Sequence, residues 1–502
     1  MTTIKRINYL FVIKIIGALL LIESLAMLLS LPFSIYYGSK KMSFDTLFNG
    51  KDDLLAIILS AIIVAFVGII LLIISRKNKN KRFDKHEGFL LVTLSWLMLS
   101  LFGTLPYLFS GVIPKFTEAF FETTSGFTTT GLSIITDVEI VPKGILLWRS
   151  ITHWIGGMGI MMMYLALLPM IGVKGGMLYS AETSGDIHEK LHPRIKETAK
   201  RLWYIYFGLT LLCFILIKLG GVNIVDSICY TFSTMATGGF GTKNSSFVYA
   251  SRYIQYIVII FMILSATNFN VHYLFFKFQW KKAFKNEEVK VYWSIILVST
   301  LLIFVVFLFG NNFKDIEPKF RESLFHVVSV LTTTGFFTSD FTLWNNNIWI
   351  VLFIISFICG CSGSTTGGVK VWRHIILFKN YKMELKRQLH PQAVIPVRYN
   401  KHALPTDTVY NVTAFFYFFL ALFFVSTLIL SIFGGLDFIT SIGTSISCLA
   451  NIGVGIGDIA SPYGTFAGVS NFVVWYLSFL MIIGRLEVFT VLIIFNKAFW
   501  KR

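Results

Sequence analysis

The chain has 502 residues, of which 55% are apolar, 16% aromatic and only 14% charged. About a quarter of the residues of an ordinary soluble domain are charged, so this composition excludes that class and indicates a membrane protein. The formal charge of +18 does not indicate a nucleic-acid partner, because 31 of the 44 Lys and Arg residues lie in alternate segments between apolar stretches. Cytoplasmic loops are enriched in basic residues in this way. We therefore predict a multi-pass protein of the cytoplasmic (inner) membrane with both termini on the cytoplasmic side.

Residues 1–86 are predicted to form an N-terminal domain of two helices, at about 7–37 and 53–76. The stretch Leu54 to Ser75 has no charged residue and reaches the length of about 20 residues that crosses a bilayer. The segment from Asn8 to Pro32 is too long for a signal peptide and has no small-residue cleavage site, so we expect it to remain as a helix of the mature protein.

After this domain, a pattern of helix, short apolar segment and helix recurs four times, which predicts four similar units. We place these pore units at 87–195, 196–286, 287–402 and 403–502. The short segments are too short to cross the membrane and are predicted to be re-entrant; they lie near 115–130, 224–238, 321–334 and 437–452. The predicted fold class is an all-α polytopic membrane protein with four helix/re-entrant loop/helix units around a central pore, two extra N-terminal helices and about 10 spans in all.

In each short segment a Ser is followed six residues later by a Gly, giving the pairs Ser125/Gly131, Ser233/Gly239, Ser329/Gly335 and Ser447/Gly453. Polar backbone at membrane depth is tolerated only beside protein or water. Rings of carbonyl oxygens from such loops can replace the water shell of a cation, and Gly permits the backbone angles this needs. Close helix packing is the other common use of small residues in membranes, but four loops in register favour the ion site.

The predicted cation-site residues are Thr129, Thr130, Gly131, Thr237, Gly238, Gly239, Thr333, Thr334, Gly335, Asn451, Ile452 and Gly453. A polar residue follows each glycine by five or six positions, at Asp137, Asn244, Asp340 and Asp458. An outer ring of such groups would concentrate cations at the mouth of a pore.

Several motifs make the chain similar to the Trk/Ktr/HKT superfamily of potassium transporters, closest to its bacterial TrkH and TrkG members. They are Ser125 to Gly131, Pro142 to Arg149, Thr152 to Gly159, Gly360 to Gly368 with Lys370, and Gly484 to Glu487. The resemblance covers essentially the whole chain. It implies potassium uptake rather than enzyme activity, with potassium favoured because all four filter positions are Gly.

The resemblance also implies a homodimer and a cytosolic TrkA-like nucleotide-binding subunit. No cofactor is expected in this chain, so ATP, ADP or NAD would act only through that partner. Uptake coupled to sodium or protons remains an alternative, because the loop pattern does not distinguish coupled from passive flux.

A run of residues that form helices poorly interrupts the second helix of the third unit, which predicts an intramembrane loop below the filter; a simple kink is the alternative. By resemblance this loop and Arg485 form the gate: Gly360, Cys361, Ser362, Gly363, Ser364, Thr365, Thr366, Gly367, Gly368 and Arg485. A structural Arg485 bonded to helix-end carbonyls is the other interpretation. We expect separate partners for Arg485 and Glu487, and an interfacial position for Lys370.

The segment His188 to His192 matches the zinc-protease motif H-E-x-x-H. Pro193 opposes the continuing helix that would place both histidines on one face, so a membrane metalloprotease is the least favoured function. The cysteines Cys213, Cys229, Cys359, Cys361 and Cys448 lie in apolar or pore-type segments without metal-ligand spacing and are predicted to be buried free thiols.

Overall fold

The computed structural model describes residues 7–38, 48–49, 52–76, 85–159, 195–310, 316–344, 348–393 and 395–500. Most of these residues are helical, and one two-stranded antiparallel hairpin joins β1 (Arg398–Tyr399) to β2 (His402–Ala403). The predicted all-α class is confirmed. The candidate zinc motif at His188 and His192 lies outside the described residues.

The helices of the first half are α1 Tyr9–Leu28, α2 Leu31–Tyr37, α3 Leu54–Ser75, α4 Lys85–Phe102, α5 Leu105–Ser110, α6 Phe116–Phe127, α7 Lys143–Gly157, α8 Ile195–Leu219, α9 Ile224–Ala236, α10 Arg252–Ser265, α11 Phe269–Phe276 and α12 Trp280–Lys285. Those of the second half are α13 Glu287–Gly310, α14 Ile316–Leu331, α15 Trp349–Ile355, α16 Val371–Leu389, α17 Thr406–Ile432, α18 Phe438–Ala450, α19 Asn471–Arg485, α20 Phe489–Leu492 and α21 Lys497–Trp500. Short 3₁₀ turns lie at Phe341–Leu343 and Ile493–Phe495.

Six helical stretches of the described residues are long and apolar enough to cross a membrane, and two bent helix pairs raise the number to eight. In one pair the chain bends by 100° between α10 and α11. In the other it bends by 110° between α19 and the helical residues Phe489–Phe495. Two other predicted spans fall outside this test for different reasons. Helix α7 ends at Gly157, two residues before the described part of the chain is interrupted, and α15 is separated from α16 by a loop. The expected total of about 10 spans stays a prediction.

The first two membrane helices cross where both have a glycine. A Cβ atom on Gly17 of α1 would lie 2.9 Å from the Gly68 carbonyl oxygen of α3, and one on Gly68 would lie 3.0 Å from the Gly17 carbonyl oxygen. Small residues allow membrane helices to approach this closely. Asp53, at the start of α3, connects this pair to the rest of the protein because its carboxylate accepts hydrogen bonds from the Ile145 amide, at 3.1 Å, and from the Ser34 hydroxyl.

Four short helices, α6, α9, α14 and α18, end in the interior of the protein, and each ends in a loop at the predicted position. The end of each is buried, unlike the exposed residues near its start. Helix α9 packs on α7, α14 packs on α10 and α19 packs on α6. The last long helix of the chain therefore contacts the first short one, which closes a ring of helices around the loops.

Candidate functional site

The loops that follow the four short helices meet in a closed ring. A Cβ atom on Gly131 would lie 2.1 Å from the Gly238 carbonyl oxygen, and one on Gly239 would lie 2.2 Å from the Thr334 carbonyl oxygen. The other two contacts are Gly335 with the Ile452 carbonyl oxygen at 2.2 Å, and Gly453 with the Thr130 carbonyl oxygen at 2.1 Å. Each glycine thus lies against the backbone of the next loop in chain order, and the fourth loop returns to the first.

All four loops have the same unusual backbone conformation. The residue two positions before each glycine has a positive φ of 53° to 56°, at Thr129, Thr237, Thr333 and Asn451. The glycines themselves have φ values of 80° to 87°, whereas the residue between each pair does not have a positive φ. Successive carbonyls of an ordinary strand point to opposite sides, but alternation in the sign of φ turns them toward the same side. Such loops can present a column of carbonyl oxygens to an ion.

Side-chain hydrogen bonds hold these loops in shape. The hydroxyls of Thr128 and Thr130 lie 2.7 Å apart in the first loop, and those of Thr332 and Thr334 lie 2.7 Å apart in the third. The fourth loop has Asn451 in place of a threonine, and its amide donates to the Thr130 hydroxyl at 2.9 Å. The side chain by which the fourth loop departs from the common pattern therefore ties this loop to the first one.

A cavity of about 150 Å³ opens on the side of the ring where the chain leaves the four loops. Its lining includes the glycines Gly131, Gly239, Gly335 and Gly453. The short helices direct their C-terminal ends toward the ring, where their partial negative charge favours a cation. A small vestibule therefore leads directly to the backbone of all four loops.

The four polar residues expected around the mouth have separate roles. Asn244 lines the cavity, and its amide donates to the Asp137 carboxylate at 2.9 Å. Asp340 accepts a hydrogen bond from the Thr342 amide at 3.0 Å and begins a 3₁₀ turn, whereas Asp458 is exposed. The structure thus brings Asp137 and Asn244 together, while the predicted concentration of cations by an outer ring stays a prediction.

A loop replaces helix between α15 and α16, as the run of helix-poor residues predicts. The loop is closed at its base, because the Cys359 amide donates to the Val369 carbonyl at 3.0 Å and the Val371 amide donates to the Gly360 carbonyl at 3.2 Å. The alternative of a simple kink is therefore wrong. Closely packed glycines allow the chain to turn here: Gly368 has a φ of 56°, and its Cβ would lie 2.2 Å from the Cys359 sulfur.

This loop contacts the ring. The Gly367 amide donates to the Thr333 hydroxyl at 3.1 Å, and the Thr237 hydroxyl donates to the Thr365 hydroxyl at 3.3 Å. A Cβ atom on Gly367 would also lie 2.9 Å from the Asn451 Cβ. The residues with left-handed backbone in the second, third and fourth loops are therefore the ones that the intramembrane loop contacts.

Arg485 lies between the intramembrane loop and the first unit. Its guanidinium donates to the Thr365 carbonyl at 2.8 Å and to the Gly156 carbonyl, near the end of α7, at 2.7 Å. Glu487 instead pairs with Arg373 of α16 at 2.6 Å. The expectation of separate partners for Arg485 and Glu487 is confirmed. Arg485 bonds to carbonyl oxygens, as expected for a structural arginine, and it also lies beside the intramembrane loop.

The expectation for Lys370 is wrong. Lys370 is only 7% exposed, and its ammonium donates to the Thr366 hydroxyl at 2.8 Å and to the Thr366 carbonyl. The chain turns back within the loop, so this lysine remains inside the loop rather than extending toward the membrane surface.

Three buried ionisable residues near the site were not identified from the sequence. Glu288 of α13 accepts from the Ser362 amide at 2.6 Å, from the Ser362 hydroxyl at 2.8 Å and from the Trp372 amide at 3.2 Å, so it binds both limbs of the intramembrane loop. Glu122 and Arg149 form a buried ion pair behind the first loop, with 2.6 Å between Oε1 and Nε. An ionisable residue within an apolar stretch is the signal that could have found Glu122 and Arg149, because such residues are costly in membranes. Glu288 lies among the charged residues of 285–290 and carries no such signal.

The five cysteines are buried and not in disulfides, as predicted. Among the described residues, no group of three or more His, Cys, Asp or Glu side chains is placed to hold a metal ion.

Comparison with known proteins places the chain and its fold in a family. The family model described as TrkH, cation transport protein, matches residues 55–502. The TrkH potassium uptake protein of Vibrio parahaemolyticus is 36% identical over 501 residues, covering 98% of this chain and 99% of that protein. The TrkG potassium uptake protein of Escherichia coli is 32% identical and covers 85% of this chain and 87% of its own length.

The crystal structure of the potassium transporter TrkH from Vibrio parahaemolyticus superimposes with a TM-score of 0.86 at 34% identity, covering 98% of this chain and 100% of that one. The relatives are transport proteins rather than enzymes. A match over most of the chain, in sequence and in structure, shows that this multi-pass membrane protein belongs to the TrkH family of cation transport proteins.

Proposed function

We propose that this protein takes up potassium across the cytoplasmic membrane through the ring of four loops. The observation that carries the proposal is the set of contacts from each ring glycine to the carbonyl of the next loop. Four loops with alternating φ supply backbone oxygens at equivalent positions, which is the chemistry that replaces the hydration shell of potassium. The relatives named as potassium uptake proteins support the choice of ion.

The ion ligands in this proposal are backbone oxygens of the twelve predicted residues, above all the carbonyls of Thr130, Gly238, Thr334 and Ile452 at the seams of the ring. The fold would then consist of an N-terminal pair of helices and four pore units with the boundaries predicted from the sequence. Asn451 would give the filter only approximate four-fold symmetry, because it adds a side-chain bond that the other loops lack.

The intramembrane loop, residues 360–368, is the proposed gate. It lies against three of the four loops through Thr365 and Gly367, so an ion that leaves the ring meets the loop next. Arg485 donates a hydrogen bond to the Thr365 carbonyl of the loop and brings a positive charge to the same region. Movement of the loop away from the ring would open the inner half of the path.

Regulation and assembly are proposed from the resemblance. Both termini and the basic segments would face the cytoplasm, where a TrkA-like subunit would bind and respond to ATP, ADP or NAD, and two copies of the chain would form a homodimer. Basic side chains on α16, such as Lys382 and Lys386, are exposed and available to such a partner.

Uptake of potassium or rubidium into liposomes that contain the purified protein, with sodium as competitor, tests the proposal. We expect unlabelled potassium to inhibit the uptake of rubidium far better than sodium does. Equal competition by sodium would contradict the potassium filter. A reversal potential that follows a sodium or proton gradient would instead identify the coupled symport that the loop pattern leaves open.

A further inference from the structure

A buried ion pair lies directly behind the seam between the first two loops. The Arg149 guanidinium donates from Nε to Glu122 Oε1 at 2.6 Å, and the two side chains are 4% and 0% exposed. Removing two charges from water costs several kcal/mol per ion, and good geometry with further hydrogen bonds is needed to offset it. Both partners have such bonds, and all of them go to the segments that leave the ring.

Glu122 holds the segment after the first loop. Its carboxylate accepts from the Ile134 amide at 2.8 Å and from the Ser133 hydroxyl at 3.1 and 3.2 Å. These residues follow Gly131 by two and three positions. The carboxylate of α6 therefore fixes the direction in which the first loop leaves the ring.

Arg149 holds the segment after the second loop. Its Nη1 donates to the Gly241 carbonyl at 3.1 Å, and its guanidinium carbon lies 3.3 Å from the centre of the Phe240 ring. The other face of Phe240 stacks on His153 of α7, with 4.0 Å between ring centres. Phe240 and Gly241 directly follow Gly239, so the ion pair connects the exits of two neighbouring loops.

The corresponding positions in the other units have different side chains and no carboxylate. Glu122 lies three residues before Ser125, and the equivalent residues are Tyr230, His326 and Thr444. His326 Nε2 lies 3.3 Å from the hydroxyls of Thr338 and Ser339, and the Tyr230 ring lies 3.5 Å from the Cβ position of Gly241. The Thr444 hydroxyl has no hydrogen-bond partner among the described residues. Among these four positions, only that of the first unit has an ion pair in the part of the chain that the structure describes.

We propose that the pair of Glu122 and Arg149 is a positioning element that sets ion preference by fixing the distance between the first and second loops. The same seam contains the contact of Gly131 with the Gly238 carbonyl oxygen. A displacement of either exit segment moves that oxygen relative to the ion, and selectivity depends on the number and placement of such oxygens. This inference rests on the proposed potassium filter.

Glu122→Gln and Arg149→Lys test the inference in the liposome assay, with the ratio of potassium to sodium uptake as the readout. Glutamine keeps an acceptor but has no charge, and lysine keeps the charge but lacks the planar fork that reaches Glu122 and Gly241 together. Glu118→Gln is the matched control, because Glu118 lies on the same helix in an exposed pair with Lys115 at 3.0 Å. Gly131→Ser, assayed in parallel, reports on the filter itself.

We expect the uptake ratio to fall about tenfold in both pair variants while uptake persists, and to stay unchanged in Glu118→Gln. If Gly131→Ser loses the preference and both pair variants keep it, the positioning role is wrong and the filter stands. If the parent protein shows no preference for potassium, the proposed filter itself fails. Should Glu122→Gln not fold, the milder Arg149→Lys decides, and an unchanged ratio there overturns the inference.

Discussion

A methyl group on Gly131 would lie 2.1 Å from the carbonyl oxygen of Gly238, in the next loop of the ring. Cβ atoms do not approach oxygen atoms so closely, so any side chain at this position must displace one of the two loops. The φ of 87° at Gly131 adds a second restriction, because residues with a Cβ rarely adopt it. Steric and conformational effects at this position can be separated by experiment.

Gly131→Ser is expected to reduce the ratio of potassium to sodium uptake about tenfold, because the side chain forces the Gly238 oxygen out of place. Gly221→Ala is the matched control. Gly221 has a similar φ of 84°, but nothing lies within 4 Å of its Cβ position. Alanine there has only the backbone cost of about 1–2 kcal/mol and should leave the ratio unchanged. An equal fall of the uptake ratio in both variants would show that backbone strain causes the effect, and not the contact of Gly131 with the Gly238 carbonyl oxygen.

Arg485→Gln is expected to increase the rate of potassium uptake. At roughly 10 Å from an ion and an effective dielectric constant of about 20, the arginine repels it by about 1.7 kcal/mol, or somewhat more than tenfold in rate. Initial rubidium uptake at equal protein density measures the change. Arg201→Gln removes an exposed cation that pairs with Glu197 and serves as the control. A rate at or below that of the parent protein would argue against a barrier at Arg485.

Glu288→Gln is expected to loosen the intramembrane loop, because a neutral amide cannot accept the three hydrogen bonds from Ser362 and Trp372 that the carboxylate accepts. Cys361 lies in this loop and is buried, so its rate of maleimide labelling reports the release. We expect labelling about tenfold faster, measured by mass spectrometry of the Cys361 peptide. Glu287→Gln, next in the chain, removes a half-buried pair with Lys379 and should have no such effect. Unchanged labelling in Glu288→Gln would show that Glu288 does not restrain the loop.

Gly17→Val is expected to destabilise the protein by about 1–3 kcal/mol, because the side chain would separate α1 from α3 at their crossing. Thermal unfolding in detergent measures the loss. Gly208→Val is the control, since Gly208 of α8 is exposed and nothing lies within 4 Å of its Cβ position. The ratio of potassium to sodium uptake should remain that of the parent protein, and a changed ratio would show that the N-terminal pair acts on the ring.

Much of this architecture is predictable from the sequence because its signals are local. Charge-free stretches such as Leu54–Ser75 indicate membrane helices by length alone, and the spacing of Ser125 to Gly131 recurs in all four loops. The interruption before α16 follows from consecutive residues that form helices poorly. Each of these signals is contained in a stretch of a few tens of residues.

The features that the sequence did not predict depend on contacts between distant segments. Glu288 contacts a loop more than 70 residues away, and Glu122 and Arg149 meet only because α6 and α7 pack side by side. The position of Lys370 was predicted wrongly because distance along the chain placed it after the loop, whereas the loop folds back and buries it. Asn451 departs from the threonine pattern. Its hydrogen bond to Thr130 explains this departure, and the bond is visible only in the folded structure.

The most direct test of the central claim is the location of the ion itself. Crystals grown in rubidium in place of potassium give an anomalous signal that marks each bound ion. We expect a peak on the axis of the ring, between the carbonyl oxygens of Thr130, Gly238, Thr334 and Ile452, that sodium does not displace. An ordered ring without a peak, or a bound ion only at another place in the protein, would contradict the account.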